Sequence, residues 1–210
     1  MKKQKIDQIF ARLQANMPHP QTELYYTNEF TLLVAIVLSA QATDKGVNKA
    51  TPALFAVADT PAKMAKLGEE KLKTYIKTIG LFNAKAKNVI VLSQQLLEHH
   101  KGKVPHDRAA LESLAGVGKK TAAVWQNCAL GLPTIAVDTH VFRVANRLGL
   151  CKTTTADATQ IALEKVVPDQ WKLHAHHWLI LHGRYICIAR KPRCEQCIIY
   201  DLCEFPNKTA

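Results

Sequence analysis

Apolar side chains recur along this chain at the three-and-four spacing of helices, and no alternating run of the kind a half-buried strand needs persists. Ile6, Ile9, Phe10 and Leu13 mark one face of a helix over residues 5–16. Met17-Pro18-His19-Pro20 ends it, since two prolines cannot continue a helix, and places a linker near residue 21. The next helix, residues 29–39, is apolar almost all round, which predicts a buried core helix. Its polar end, Ser39-Ala40-Gln41-Ala42-Thr43-Asp44, has two readings. Either Thr43 or Asp44 caps a helix over 44–56, or Gln41 and its neighbours line a site.

Short helices follow, one opening at Thr60-Pro61 and one at Glu69, with Leu72, Tyr75, Ile76 and Ile79 sharing a face. Gly80 breaks that pattern and leaves Leu81 and Phe82 in a loop before a helix over 83–99. Leu81 is then either a satellite core contact or an apolar wedge of the kind DNA-bending proteins push between bases. A short helix over 107–114, capped at His106 or Asp107, leads into Leu114-Ala115-Gly116-Val117-Gly118. A helix from Lys119 to Leu130 comes next and stops at Gly131 before Pro133. Asp138-Thr139-His140 opens another, with Val141, Val144, Ala145 and Leu148 on one stripe and Gly149 at its end. Helices over 156–167 and 171–186 close the series, and short strands stay open around 135–137. The chain reads as all-α.

Composition adds a partner and a compartment. The 210 residues are 48% hydrophobic, enough for one domain or two small ones. The formal charge is +11, with basic residues recurring along the chain instead of filling one tail, so a folded basic face is expected; nucleic acid is the preferred partner, although such a face alone would also fit an anionic membrane. Asp7, Gln8 and Arg12 interrupt any signal-peptide core, and the apolar run at 30–40 is far short of the roughly 20 residues a membrane helix needs. Six cysteines are present, four of them within the last 24 residues. That clustering suits a cytosolic metal site better than a disulfide framework.

Three constellations carry chemistry. In the hairpin, Gly116 and Gly118 leave backbone N–H groups facing outward at a helix start, which suits nonspecific phosphate binding; the plainer reading is an ordinary turn between helices. Lys120, at that helix start, is either a solvated lysine or an amine that the helix dipole and apolar neighbours keep uncharged, able to attack a sugar carbon and form a Schiff base. Asp138 is either an N-cap or a carboxylate that stabilises a sugar cation or takes a proton. The third is Cys187-x6-Cys194-x2-Cys197-x5-Cys203, which binds metal. Spacing alone does not separate zinc from a [4Fe–4S] cluster, although a single Cys-x2-Cys pair looks less like a zinc ribbon. Arg184, Arg190, Lys191 and Arg193 around the ligands could touch phosphates. His174 and His177 share a helix face, and packing is the reading preferred for them over ligation.

Ser39–Asp44, Gly116-Val117-Gly118-Lys119-Lys120-Thr121-Ala122, Val137-Asp138-Thr139-His140 and His182-Gly183-Arg184 before the cysteines occur in one order. Together they resemble the bacterial endonuclease III family of the helix-hairpin-helix DNA glycosylase superfamily, over essentially the whole length. The fold this implies is a six-helix barrel domain, residues 22–132, and a [4Fe–4S] cluster domain from both chain ends, residues 1–21 and 133–210, with DNA crossing the groove between them. The resemblance implies Lys120 as nucleophile at C1′ and Asp138 as its carboxylate. It implies Gln41 filling the gap left by a flipped-out base, and Leu81, with Ile79 near it, wedging the strand. Cys187, Cys194, Cys197 and Cys203 would hold the cluster. The implied activity is removal of oxidised pyrimidines from double-stranded DNA, then β-elimination that nicks 3′ to the abasic site, by a cytoplasmic, nucleoid-associated bacterial monomer. Ala115 departs from the family's usual proline without removing a phosphate donor. The sister family that removes adenine from mispairs lacks a lysine at this position and carries a further C-terminal domain, whereas seven residues follow Cys203 here. A noncatalytic helix-hairpin-helix DNA-binding module with a structural metal is the alternative from another class; Lys120 with Asp138 speaks against it.

Overall fold

The computed structural model describes residues 1–209. Eleven α-helices and one 3₁₀ turn occur among them, and no strand. In chain order the helices are α1 (Lys3–Asn16), α2 (Glu29–Ser39), α3 (Asp44–Val57), α4 (Pro61–Leu67), α5 (Glu69–Ile76), α6 (Phe82–His100), α7 (Arg108–Glu112), α8 (Lys119–Leu130), α9 (Thr139–Leu148), α10 (Ala156–Val166) and α11 (Asp169–Tyr185). They form two compact units, Glu23–Leu130 and Met1–Thr22 joined with Gly131–Ala210, each with its own core.

The continuous unit is built around α2. Every residue from Phe30 to Leu38 is buried, as expected of a helix apolar on all sides, and α3, α6 and α8 pack against it. Asn28 caps it: its side chain accepts from the Thr31 amide, and the Thr31 hydroxyl accepts from the Asn28 amide. Trp125 of α8 is fully buried and donates its indole N–H to the Glu29 carbonyl at 3.0 Å, satisfying the one polar group that side chain carries into the core. Caps fall largely where the polar residues predicted them. Thr43, Thr60 and Asp107 each accept from the amide three residues on.

The discontinuous unit packs α9 against α10 and α11, and brings α1 onto α11. Phe10 of α1 stacks near Trp171 and Trp178 of α11, and the two indoles donate to Asp7 and to the Met17 carbonyl, both at 2.9 Å. Arg12 makes a two-pronged contact with Asp201, and Lys5 pairs with Glu204, so the first helix is clamped to the last residues of the chain. Residues 135–137 form no strand: Ile135, Ala136 and Val137 are a buried segment without regular structure, and the Ala136 carbonyl bonds the ring of His176 at 2.7 Å.

Candidate functional site

Two corners of the continuous unit have unusual backbones. Gln41, just past α2, and Leu81, just before α6, both adopt left-handed φ, at 53° and 60°. For a leucine this costs on the order of 1–2 kcal/mol, because Cβ crowds the following carbonyl. The loop expected at 81–82 is thus shorter than the sequence suggests: Phe82 already belongs to α6 and Leu81 is its cap residue. Leu81 is 60% exposed, while Ile79 is buried in the core beneath it. The corners are neighbours, since a Cβ added to Gly80 would lie 3.7 Å from the Gln41 carbonyl oxygen. Four residues into the same helix, Lys85 is buried and its Nζ has no hydrogen-bond partner; burial lowers its pKa below the usual lysine value.

The hairpin is a tight turn closed by the Val117 amide on the Leu114 carbonyl at 3.0 Å. Gly116 takes φ 77°, and a Cβ there would press within 3.0 Å of Asn88 on α6; glycine is required twice over. The space around Gly118 is open, with nothing within 4 Å of an added Cβ, so another backbone or a phosphate can approach. Gln95 accepts from the Ala115 amide at 2.8 Å, and Arg108 donates to the Lys119 carbonyl at 2.6 Å, bracing both sides of the turn. Lys120, in the first turn of α8, is exposed, as the solvated one of its two readings expects.

In the discontinuous unit Asp138 is the N-cap of α9, accepting from the Val141 amide at 2.7 Å. The capping reading is therefore realised, and it commits one carboxylate oxygen while the second keeps its acceptor capacity. From the same helix Arg143 donates to the carbonyls of Cys187 and Gly183, at 3.0 and 2.8 Å. One turn on, Arg147 reaches the Cys187 sulfur at 3.5 Å and the carbonyls of Ile188 and Ala189 at 2.8 and 2.9 Å, and lies over the Phe205 ring. Neither arginine was singled out from the sequence, although their spacing of four on one helix face beside a cysteine loop was a usable signal.

Cys187, Cys194, Cys197 and Cys203 form no disulfide and line one pocket with Leu148, His182, Pro192 and Phe205. The 3₁₀ turn Cys194–Gln196 and a run of loop hydrogen bonds from Arg193 to Cys203 hold the segment, with Lys191 at φ 52°. Four sulfurs spread around one pocket suit a polynuclear cluster, with Arg147 and the Phe205 amide donating to two of them and the His182 ring 3.7 Å from a third. Burial raises the pKa of the Cys197 thiol to about 11 and raises that of Cys203 as well, so cluster assembly must displace protons from both. Arg184 is half-buried in the last turn of α11, three residues before Cys187. The structure thus gathers the cysteines into one pocket, Gln41 with Leu81 into one pair of corners, and the hairpin glycines with Lys120 at one helix start.

Comparison with known proteins agrees with this geometry. Residues 34–169 match the family model of the HhH-GPD superfamily base excision DNA repair proteins, and residues 187–203 match the iron–sulfur binding domain of endonuclease III. Endonuclease III of Escherichia coli strain K12 is 59% identical and that of Haemophilus influenzae 58%, each match covering 99% of both chains. Solved structures of a trapped endonuclease III–DNA covalent intermediate and of a non-covalent endonuclease III–DNA complex superpose with TM-scores of 0.89 and 0.90 at 41% identity, covering 97% of this chain and 96% of each of those. The chain carries a [4Fe–4S] cluster, and the four cysteines lie within the matched iron–sulfur segment. With its helix-hairpin-helix and cysteine loop both matched along nearly the full chain, the protein belongs to the endonuclease III family of base excision DNA repair enzymes.

Proposed function

We propose that this chain binds double-stranded DNA containing oxidised pyrimidines or abasic sites, removes the damaged base and then nicks the strand, with Lys120 as nucleophile. The observation that carries the reading is a lysine at the head of the hairpin's second helix, in a chain whose 41%-identical relative was trapped as a covalent intermediate on DNA. A covalent intermediate needs a nucleophile, and an exposed amine at the start of α8 can approach a sugar carbon.

In this reading the hairpin N–H groups and Arg184 hold phosphates, Leu81 enters the base stack with Ile79 supporting it, and Gln41 occupies the space of the extruded nucleotide. The free amine of Lys120 attacks C1′, the N-glycosidic bond breaks, and the base departs with the bonding pair and gains a proton. Asp138 stabilises the cation-like sugar or takes the proton released by the attacking amine. Opening of the C1′–O4′ bond leaves an iminium at C1′. Loss of a C2′ proton then expels the 3′ phosphate with the C3′–O electrons, and water hydrolyses the imine to free Lys120. When bound, the [4Fe–4S] cluster pins the cysteine loop and contributes no bond-making step here. The unit Glu23–Leu130 is read as the barrel domain and the other as the cluster domain, in a monomer acting on cytoplasmic, nucleoid DNA; among the described residues no helix is long and apolar enough to cross a membrane.

Borohydride reduces the iminium to a stable amine, so the wild-type protein is expected to be trapped covalently on duplex DNA carrying an abasic site, and Lys120→Ala is not. Full trapping by Lys120→Ala, or none by the wild type, would falsify the assignment.

A further inference from the structure

His182, in the last turn of α11, touches two of the four cluster cysteines, and it is only 8% exposed. Its carbonyl accepts from the amides of Ile186 and Cys187, at 3.0 and 2.8 Å. Its ring Nε2 lies 3.7 Å from the Cys197 sulfur, within reach of an N–H···S hydrogen bond. The ring also belongs to a second wall. A neighbouring cavity of about 200 Å³, lined by Leu13, Trp178, Tyr185 and Ile198 among others, shares His182 and Ile186 with the cysteine pocket. No carboxylate lines either cavity.

We propose that His182 is a positioning residue of the iron–sulfur centre, its Nε2–H donating to the Cys197 sulfur and thereby setting the reduction potential of the cluster. A thiolate bound to iron has no proton to give, so Nε2 is the donor whenever the cluster is in place, whatever the state of the other ring nitrogen. A hydrogen bond to a ligand sulfur draws charge from it and favours the more reduced, more negative cluster. Arg147 and the Phe205 amide make the corresponding contacts to Cys187 and Cys203, at 3.5 Å each, and His182 alone among the three donors is a side chain whose replacement leaves the loop's carbonyl contacts intact.

The test compares wild-type, His182→Phe and His182→Gln holoproteins at equal iron content by direct electrochemistry. Phenylalanine keeps the wall between the two cavities and removes the donor, whereas alanine would join the cavities and confound the result. Glutamine restores an N–H. The expected result is a shift to more negative potential in His182→Phe, with His182→Gln lying between it and the wild type. An unchanged potential in the fully loaded phenylalanine variant overturns the proposal. The contact is also read without substitution: wild-type holoprotein labelled with ¹⁵N-histidine, oxidised at the cluster, should show a ¹⁵N coupling and an exchangeable-proton coupling in electron–nuclear double resonance, and absence of both overturns the proposal. The inference rests on the cluster assignment, which iron and sulfide analysis of the wild type tests separately.

Discussion

The corners at Gln41 and Leu81 and the cysteine loop solve opposite problems. The corners are single residues held in a costly backbone region by a dense apolar core, with their side chains left in solvent. The cysteine loop has almost no regular structure and little core of its own, and is held by side-chain donors reaching in from α9 and α11. Strain is affordable where packing is overdetermined; an irregular loop persists only where each polar group finds a specific partner.

The largest way to break this contrast is at the loop. Cys194→Ser is expected to abolish iron binding and leave residues 187–209 open to protease, while the core of residues 23–130 stays folded. Iron content and limited proteolysis read this, and a protected loop without iron would show that the hydrogen bonds suffice. At the corners the expectation reverses. Leu81→Gly relieves the left-handed backbone and should raise thermal stability, yet lower excision by roughly one to two orders of magnitude if the exposed leucine is buried in the base stack. Melting and single-turnover kinetics together decide it, and stability and activity moving in the same direction would sink the wedge.

Behind the same corner, Lys85→Met removes a buried amine with no acceptor and is expected to stabilise the fold by about 1–4 kcal/mol in denaturant titration. No gain would mean that Lys85 finds a partner in solution. The last test belongs to acid. Burial, with His176 and His174 close by, lowers the His177 pKa from 6.5 to about 3. The unfolded chain therefore binds a proton that the folded one refuses, and stability is full above pH 6.5 and declines as pH falls toward 3. His177→Gln should flatten that acid limb, and an unchanged limb removes His177 as its source.

The sequence was most readable where one residue's chemistry decides the outcome locally. The continuous apolar stretch of α2 announced a central helix, Thr43, Thr60 and Asp107 announced caps, and the cysteine spacing announced a metal loop. Positions set by distant partners were not readable. Leu81 looks like any loop leucine until the Gly80–Gln41 approach is seen. Arg143 and Arg147 act on groups about 40 residues away, and nothing local to His182 marks it as a neighbour of Cys197. Lys120 shows the limit from the other side: the sequence left it either solvated or desolvated, and only the fold shows its apolar neighbours turning inward on α8 while the lysine itself turns out.

The clamp between α1 and the last loop also sets an order of assembly. Ile6, Ile9, Phe10 and Leu13 leave the ribosome long before their partners: Trp171 and Trp178, which pack on Phe10, and Asp201, which pairs with Arg12, lie more than 160 residues later. At roughly 5–20 residues per second that greasy face waits for many seconds, long enough for the intervening unit to fold. This helix, made long before its partners, is thus buried late, and nascent-chain chaperones have a clear window on it.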